Sequence, residues 1–274
     1  MTEKDSFLLE WYKRLKFEVN PFEDEILKPI DEYLAGNVED KKKLNLFVIE
    51  KQSFGVIVGE QGMGKTILLK WLQEQLAPHE KKYYVYWITG TELKTEQELI
   101  EKLIRPLMST FEKTVTKPHT KLKIEELAEY LNKKLKNKTL FLMIDDAEEL
   151  PPRYLPVLKH LYNSKLNAQL ILTSTKPISG QNVGQNDSLK INLKGPSLEE
   201  SKNLIKKRVE RAGGIGIYPF NTTIFKKLYE KSSRNPSVLL KLCREKALKL
   251  SLDKEYLQQA LRELEELRKS QKKK

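Results

Sequence analysis

Gly59-Glu60-Gln61-Gly62-Met63-Gly64-Lys65-Thr66 is the stretch that decides the fold. The short apolar run Phe54-Gly55-Val56-Ile57-Val58 precedes it, and the helical pattern Ile67-Leu68-Leu69-Lys70-Trp71-Leu72 follows. The predicted order is therefore strand, loop, helix. Gly59, Gly62 and Gly64 let several backbone N–H groups converge on a polyphosphate without side chains in the way. A helix opening near Lys65 adds its unpaired N–H groups and the positive end of its dipole. The whole run from Gly59 to Ile67 is thus the expected cradle for ATP: Glu60, Gln61 and Met63 contribute main chain, Lys65 reaches the β and γ phosphates, and Thr66 offers a hydroxyl to Mg2+.

A second feature lies about eighty residues downstream. Leu140-Phe141-Leu142-Met143-Ile144 is a continuous apolar run ending in Asp145-Asp146. Such a run predicts a central strand covered on both faces. Asp145, at its end, is expected to hold the magnesium through water. Asp146 has two readings: a carboxylate that orients the attacking water, or an ordinary helix-start carboxylate. Thr175 ends the next apolar run, Leu170 to Thr175, and is the hydroxyl best placed there to meet the γ-phosphate; a plain strand-end hydroxyl is the other reading.

Further out, Tyr83 to Ile88 and Leu189 to Leu193 read as strands. Helices are predicted around Thr95 (capped with Glu98), over Ile124 to Leu135, and after Pro151-Pro152 through Tyr154, Leu155, Leu158 and Leu161. Short helices at 7–17 and 24–35 flank Asn20-Pro21-Phe22, and another runs from about Lys42 to Glu50. Ser197 with Glu200 is a capping-box signature, after which the pattern is wholly helical. Strands separated by helices predict an α/β fold, a three-layer αβα arrangement with a mainly parallel sheet and a small C-terminal helical lid. The expected division is 1–45, an N-terminal helical segment packing on the core; 46–215, the nucleotide-binding domain; 216–270, the lid; and 271–274, a basic tail. Gly213-Gly214 marks the lid boundary. In the last helix Leu257, Ala260, Leu264 and Leu267 share one face.

The 274 residues include 50 Lys and Arg against 38 Asp and Glu, a net charge of +12. That balance favours a polyanionic partner such as nucleic acid, or reflects a lysine-rich solvated surface. No apolar run approaches the ~18 residues that span a bilayer, and the N-terminus lacks the pattern of a secretory signal, so a cytoplasmic location is expected. Cys243 is the one cysteine; it falls on the stripe Leu240, Cys243, Ala247, Leu250, which predicts a buried thiol. His79, His119 and His160 lack metal-binding spacing.

The chain resembles the AAA+ superfamily, and more narrowly the ExeA and TniB type of ATPase, with replication-initiator ATPases as cousins. Asn20-Pro21-Phe22, Gly64-Lys65-Thr66, Ile144-Asp145-Asp146-Ala147, the stretch Leu198 to Gly213, Arg234-Asn235-Pro236-Ser237 and Leu242-Cys243-Arg244 carry the resemblance, which spans nearly the whole chain. It implies ATPase activity and an adenine pocket at Phe22 and Pro236, residues that also read as a core aromatic and a helix-start proline. Two departures stand out. Ser237 occupies the place where relatives carry a γ-phosphate-sensing arginine, with Arg234 nearby, and the stretch Gly180 to Lys190 holds no arginine to act on a neighbour's nucleotide, Lys190 being a poor stand-in. Slow or partner-dependent hydrolysis is expected.

The function expected from these readings is an ATP-dependent, DNA-associated switch or remodelling factor that binds ATP and ADP and forms ATP-dependent homo-oligomers. Arg268-Lys269 and Lys272-Lys273-Lys274 form a basic end able to meet phosphates, or simply a solubilising one. The alternative is a signalling or assembly ATPase acting on protein partners, as in pilus or secretion machinery, without DNA.

Overall fold

The computed structural model describes residues 10–34, 36–92, 95–108, 124–151, 154, 157, 158, 161, 166–176 and 188–271. In chain order they form α1 (Trp11–Arg14), α2 (Ile30–Tyr33), α3 (Val38–Ile49), β1 (Phe54–Val58), α4 (Lys65–Leu76), β2 (Tyr83–Thr89), α5 (Glu96–Ile104), α6 (Ile124–Leu135), β3 (Thr139–Asp145), β4 (Ala168–Ser174), β5 (Ser188–Asn192), α7 (Leu198–Arg211), α8 (Thr222–Lys231), α9 (Pro236–Leu252) and α10 (Lys254–Gln271). Two compact units result: 38–61 with 65–193, and 1–37 with 62–64 and 194–274.

The first unit is built on a five-stranded sheet of order β2-β3-β4-β1-β5, with every pairing parallel. Parallel neighbours need helical crossovers, which is why strands and helices alternate along the sequence. All seven residues of β3 are buried, as the unbroken apolar run predicts. Its side chains alternate between faces. Leu140, Leu142 and Ile144 pack in a core with Leu99 and Leu103 of α5 and Leu127 and Leu131 of α6. Phe141 meets the Phe47 ring edge-on at 6.0 Å. Buried Gln169 donates its side-chain amide to the carbonyls of Phe47 (2.8 Å) and Gln52 (3.0 Å), which ties the turn before β1 to β4. Tyr154, Leu158 and Leu161 are buried, in keeping with the helical spacing expected there; Leu155 and His160 lie outside the described residues, as do His119, Lys272, Lys273 and Lys274.

The second unit has its own core, in which Trp11, Phe17 and Phe22 join Ile205, Val209, Phe225, Leu240 and Cys243. Three of its helices, α7, α8 and α9, start where the sequence supplies acceptors for their free N–H groups. Ser197 and Glu200 form the reciprocal capping box (3.3 and 2.7 Å), Asn221 caps α8, and Asn235 accepts from the N–H groups of Ser237 and Val238. The stripe Leu240, Cys243, Ala247, Leu250 is buried along α9. In α10, Ala260 and Leu264 are buried, but Leu267 is 43% exposed, so the apolar face closes a turn early.

Three helices differ in extent from expectation. The helix expected at 24–35 contracts to α2, and the one at 7–17 to α1 among the described residues. Arg208, buried on α7, supplies the physical reason for the first: its guanidinium donates to the carbonyls of Glu23 (2.6 Å) and Glu25 (2.7 Å), which are thereby held from an i→i+4 ladder. The helix expected from Lys42 begins at Val38. The compact second unit takes in residues from 194 on, and buried residues of α7 belong to the Trp11 core.

Candidate functional site

The loop after β1 is fixed at its start by the N–H of Gly59, which donates to the Ser174 carbonyl on β4 at 3.1 Å. Left-handed backbone occurs at Gly62 (φ 82°) and Gly64 (φ 92°), a conformation that a side chain opposes. Gly62 has a second reason to be glycine: a Cβ there would lie 2.7 Å from Asn235 Oδ1 and 2.8 Å from Ser237 Cβ. Its carbonyl accepts from the Ser237 N–H at 3.4 Å.

Lys65 opens α4 with its side chain buried, and its ammonium donates back to the carbonyls of Gly59 (2.9 Å) and Glu60 (3.2 Å). The ammonium, which has only donors to offer, is held by two neutral carbonyls of the loop itself. Thr66 donates its hydroxyl to Asp145 Oδ2 at 2.8 Å. The other carboxylate oxygen, Oδ1, accepts from Thr173 Oγ at 2.5 Å, and the same Thr173 oxygen accepts from the Asp146 N–H at 2.9 Å. Sheet register explains the partnership: Ile144 pairs with Leu172, so the next residues along β3 and β4 are Asp145 and Thr173.

Asp146 takes left-handed φ (51°), which turns its carboxylate away from the line of β3. Burial pushes its carboxyl pKa up, the like charges of Asp145 and Glu148 add to this, and Lys65 opposes it. Thr175 donates its N–H to the Glu148 carboxylate at 2.9 Å. The hydroxyl that engages Asp145 is that of Thr173, a contact the sequence reading assigned to none of the three hydroxyl residues there. Three consecutive hydroxyl residues, Thr173-Ser174-Thr175, leave that choice open until the strand pairing is known.

Phe22 and Pro236 belong to the other unit. The Phe22 ring is 1% exposed, parallel to Trp11 and 5.4 Å from Phe220, and Pro236 opens α9 directly after the Asn235 cap. Ser237, one residue on, donates its hydroxyl to Asp24, a partner the sequence reading did not foresee. Arg234 is exposed with φ 65°, Lys190 is exposed on β5, and Arg268 donates to the Gly213 carbonyl at 2.9 Å.

A hydroxyl and a carboxylate side by side at the end of a phosphate-type loop are hard oxygen ligands suited to magnesium, which takes one or two protein ligands and completes its shell with phosphate and water. The donor set thus fits a nucleotide with its cation. The family model described as an AAA domain matches residues 49–180. No curated protein matches the chain by sequence. Among solved structures, the ORC1 protein of Aeropyrum pernix in complex with DNA is similar at 15% identity over 87% of this chain and 68% of that one, with a TM-score of 0.59. The Walker-type ATPase of Pyrococcus abyssi is similar at 19% identity over 91% and 80%, TM-score 0.59, and the Aeropyrum pernix ORC2 protein at 13% over 90% and 72%, TM-score 0.55. At such identities these likenesses are ones of fold. The matched segment runs from before the loop to beyond Thr175, so residues 49–180 carry the match to an AAA domain.

Proposed function

We propose that the chain is an AAA+ P-loop ATPase and acts as an ATP-dependent, DNA-associated switch that assembles with copies of itself when ATP is bound and hydrolyses the nucleotide slowly unless a partner assists. The observation that carries the reading is the hydrogen-bonded run Thr66, Asp145, Thr173, Asp146, which joins the phosphate loop to the end of β3. A change at the phosphates reaches two strands through it. Thr66 and Asp145 would hold the Mg2+, whose contribution when bound is to offset charge between the β and γ phosphates. Backbone N–H groups of Glu60 to Ile67 bind the phosphates, Gly59 fixes the start of the loop through its bond to Ser174, and Lys65 supplies the fixed charge.

In this reading Asp146 orients the attacking water, Thr175 meets the γ-phosphate side, and Phe22 and Pro236 frame the adenine. Hydrolysis is slow because Asp146 is a methylene shorter than glutamate, and because Ser237, in place of a sensing arginine, offers no charge and is already bonded to Asp24. The net charge of +12 favours DNA as partner, and the ORC1 neighbour is itself a complex with DNA. Among the described residues no helix is long and apolar enough to cross a membrane, which agrees with work in the cytoplasm.

A titration of labelled duplex DNA at several salt concentrations, with and without Mg-ATP, tests the partner. The reading expects binding that weakens with salt and strengthens with ATP. Absence of salt-dependent binding in both states refutes it, and would turn attention to protein partners.

A further inference from the structure

The strands of the sheet unit run parallel, so their carboxyl ends carry Gly59, Asp145 and Thr173 while their amino ends share the opposite edge. At that opposite edge β2 and β3 are neighbours in the register Tyr83 to Thr139. Lys81 and Lys82 lead into β2. The approach to β3, Asn132-Lys133-Lys134-Leu135-Lys136-Asn137-Lys138, holds four lysines and no carboxylate.

The backbone carrying these lysines is fixed. Thr139 N–H donates to the Lys82 carbonyl at 2.9 Å, joining the two approaches, and Lys138 N–H donates to the Leu135 carbonyl at 3.0 Å. Lys136 (φ 47°) and Asn137 (φ 66°) make the tight turn between α6 and β3. Lys81, Lys82, Lys133, Lys136 and Lys138 are all exposed, and none of the five is in an ion pair among the described residues. Glu80 is the carboxylate in the turn before Lys81. A position in or next to the last turn of α6 accounts for Lys133 and Lys136 as partners of the helix dipole, but Lys81, Lys82 and Lys138 are not placed on that helix.

We propose that this edge is the face on which the chain grips the phosphate backbone of duplex DNA; the proposal rests on the DNA-associated reading above and names its surface. The cations are all lysine, point charges on flexible stems that meet phosphates without reading bases. Single-stranded nucleic acid would call for exposed aromatic platforms; Tyr83 is buried, with Lys82 Nζ 5.1 Å from its ring centroid, and Tyr84 and Tyr86 are partly buried against the sheet core. An anionic membrane would call for apolar residues to insert beside the lysines, and none of the exposed large hydrophobics among the described residues lies in the segments 80–83 and 132–139 that carry them. A strand of seven residues rises roughly 23 Å, so DNA on this edge leaves the phosphate loop clear for ATP.

The test compares the full chain with a Lys81→Gln, Lys82→Gln, Lys136→Gln, Lys138→Gln variant and with the corresponding four Lys→Arg changes. Anisotropy of a labelled duplex is read across a salt series, and Mg-ATP binding serves as the check on folding. The glutamine variant is expected to lose at least about tenfold in affinity and to flatten the slope of log K against log salt by up to about 3.6, near 0.9 per lost phosphate contact. The arginine variant should match the original in slope, and the glutamine variant should bind Mg-ATP unchanged. An unaltered slope in the glutamine variant, with the original chain binding duplex, overturns this face and leaves DNA association standing. A chain that binds no duplex at all refutes both. Equal or tighter binding to phosphatidylserine vesicles, lost with the same four lysines, overturns duplex DNA as the occupant.

Discussion

Thr173 is completely buried and its one hydroxyl serves two neighbours, donating to Asp145 and accepting from the Asp146 N–H. Thr173→Val keeps the shape and removes both bonds, leaving a buried carboxylate oxygen and a backbone N–H short of a partner. A loss of about 1–3 kcal/mol is expected in urea unfolding without nucleotide. No loss would mean that the bonds have no energetic weight. Asp146 is a different case, since it sits in left-handed backbone with its charged form disfavoured by burial and by Asp145. A carboxyl whose pKa is raised in the fold weakens the fold once it ionises, and asparagine both removes the charge and tolerates left-handed backbone well. Asp146→Asn is therefore expected to bind ATP, to lose hydrolysis, and to melt at the same or a higher temperature at neutral pH; hydrolysis at the original rate would remove Asp146 from the reaction. The placement of Lys65 and Thr66 at a helix start and of Asp145 at a strand end was legible from the apolar runs beside them. Thr173 was not, because a choice among three hydroxyl residues depends on a register set by β3, some 28 positions away.

At the scale of elements, local signals reached as far as local forces do. The strands β1 to β5 and the caps at Thr95 and Ser197 follow from apolar runs and from hydroxyls ahead of helices, all within a few residues. Residues 24–35 misled because their backbone is governed by Arg208, which no window around them contains. Burial pushes the Arg208 guanidinium pKa down while Asp24 and Glu25 hold it up, and the carbonyls of Glu23 and Glu25 take its N–H groups. Arg208→Leu keeps the apolar stem and removes those donors. It is expected to cost roughly 3 kcal/mol, on the scale of one or two charge-assisted bonds, and to open residues 21–25 to proteolysis. A variant as protease-resistant as the original would show that the segment is held by Phe22 and Trp11 instead.

For the whole molecule, two cores and one phosphate loop set the terms. The sheet core centres on β3 and the helical core on Trp11, Phe22 and Cys243, and Gly62, at the tip of the loop, meets Asn235 and Ser237 of α9. The αβα architecture was legible in the alternation of strands and helices. The placement of α7 with the helical core was not, since the Gly213-Gly214 break marks the end of a helix and carries no information about which core that helix packs on. A charge of +12 is a property of the chain as a whole, and its reading as attraction for DNA joins the nucleotide site to a partner. The mass of the protein in solution, measured alone, with Mg-ATP, with duplex DNA and with both, tests that joining most directly, with Lys65→Ala as the matched control. The account predicts a single-chain mass without ligands, a multiple of it when Mg-ATP and duplex are both present, and no such multiple for Lys65→Ala. A mass that stays the same under all four conditions, or an oligomer that Lys65→Ala forms equally well, would contradict it.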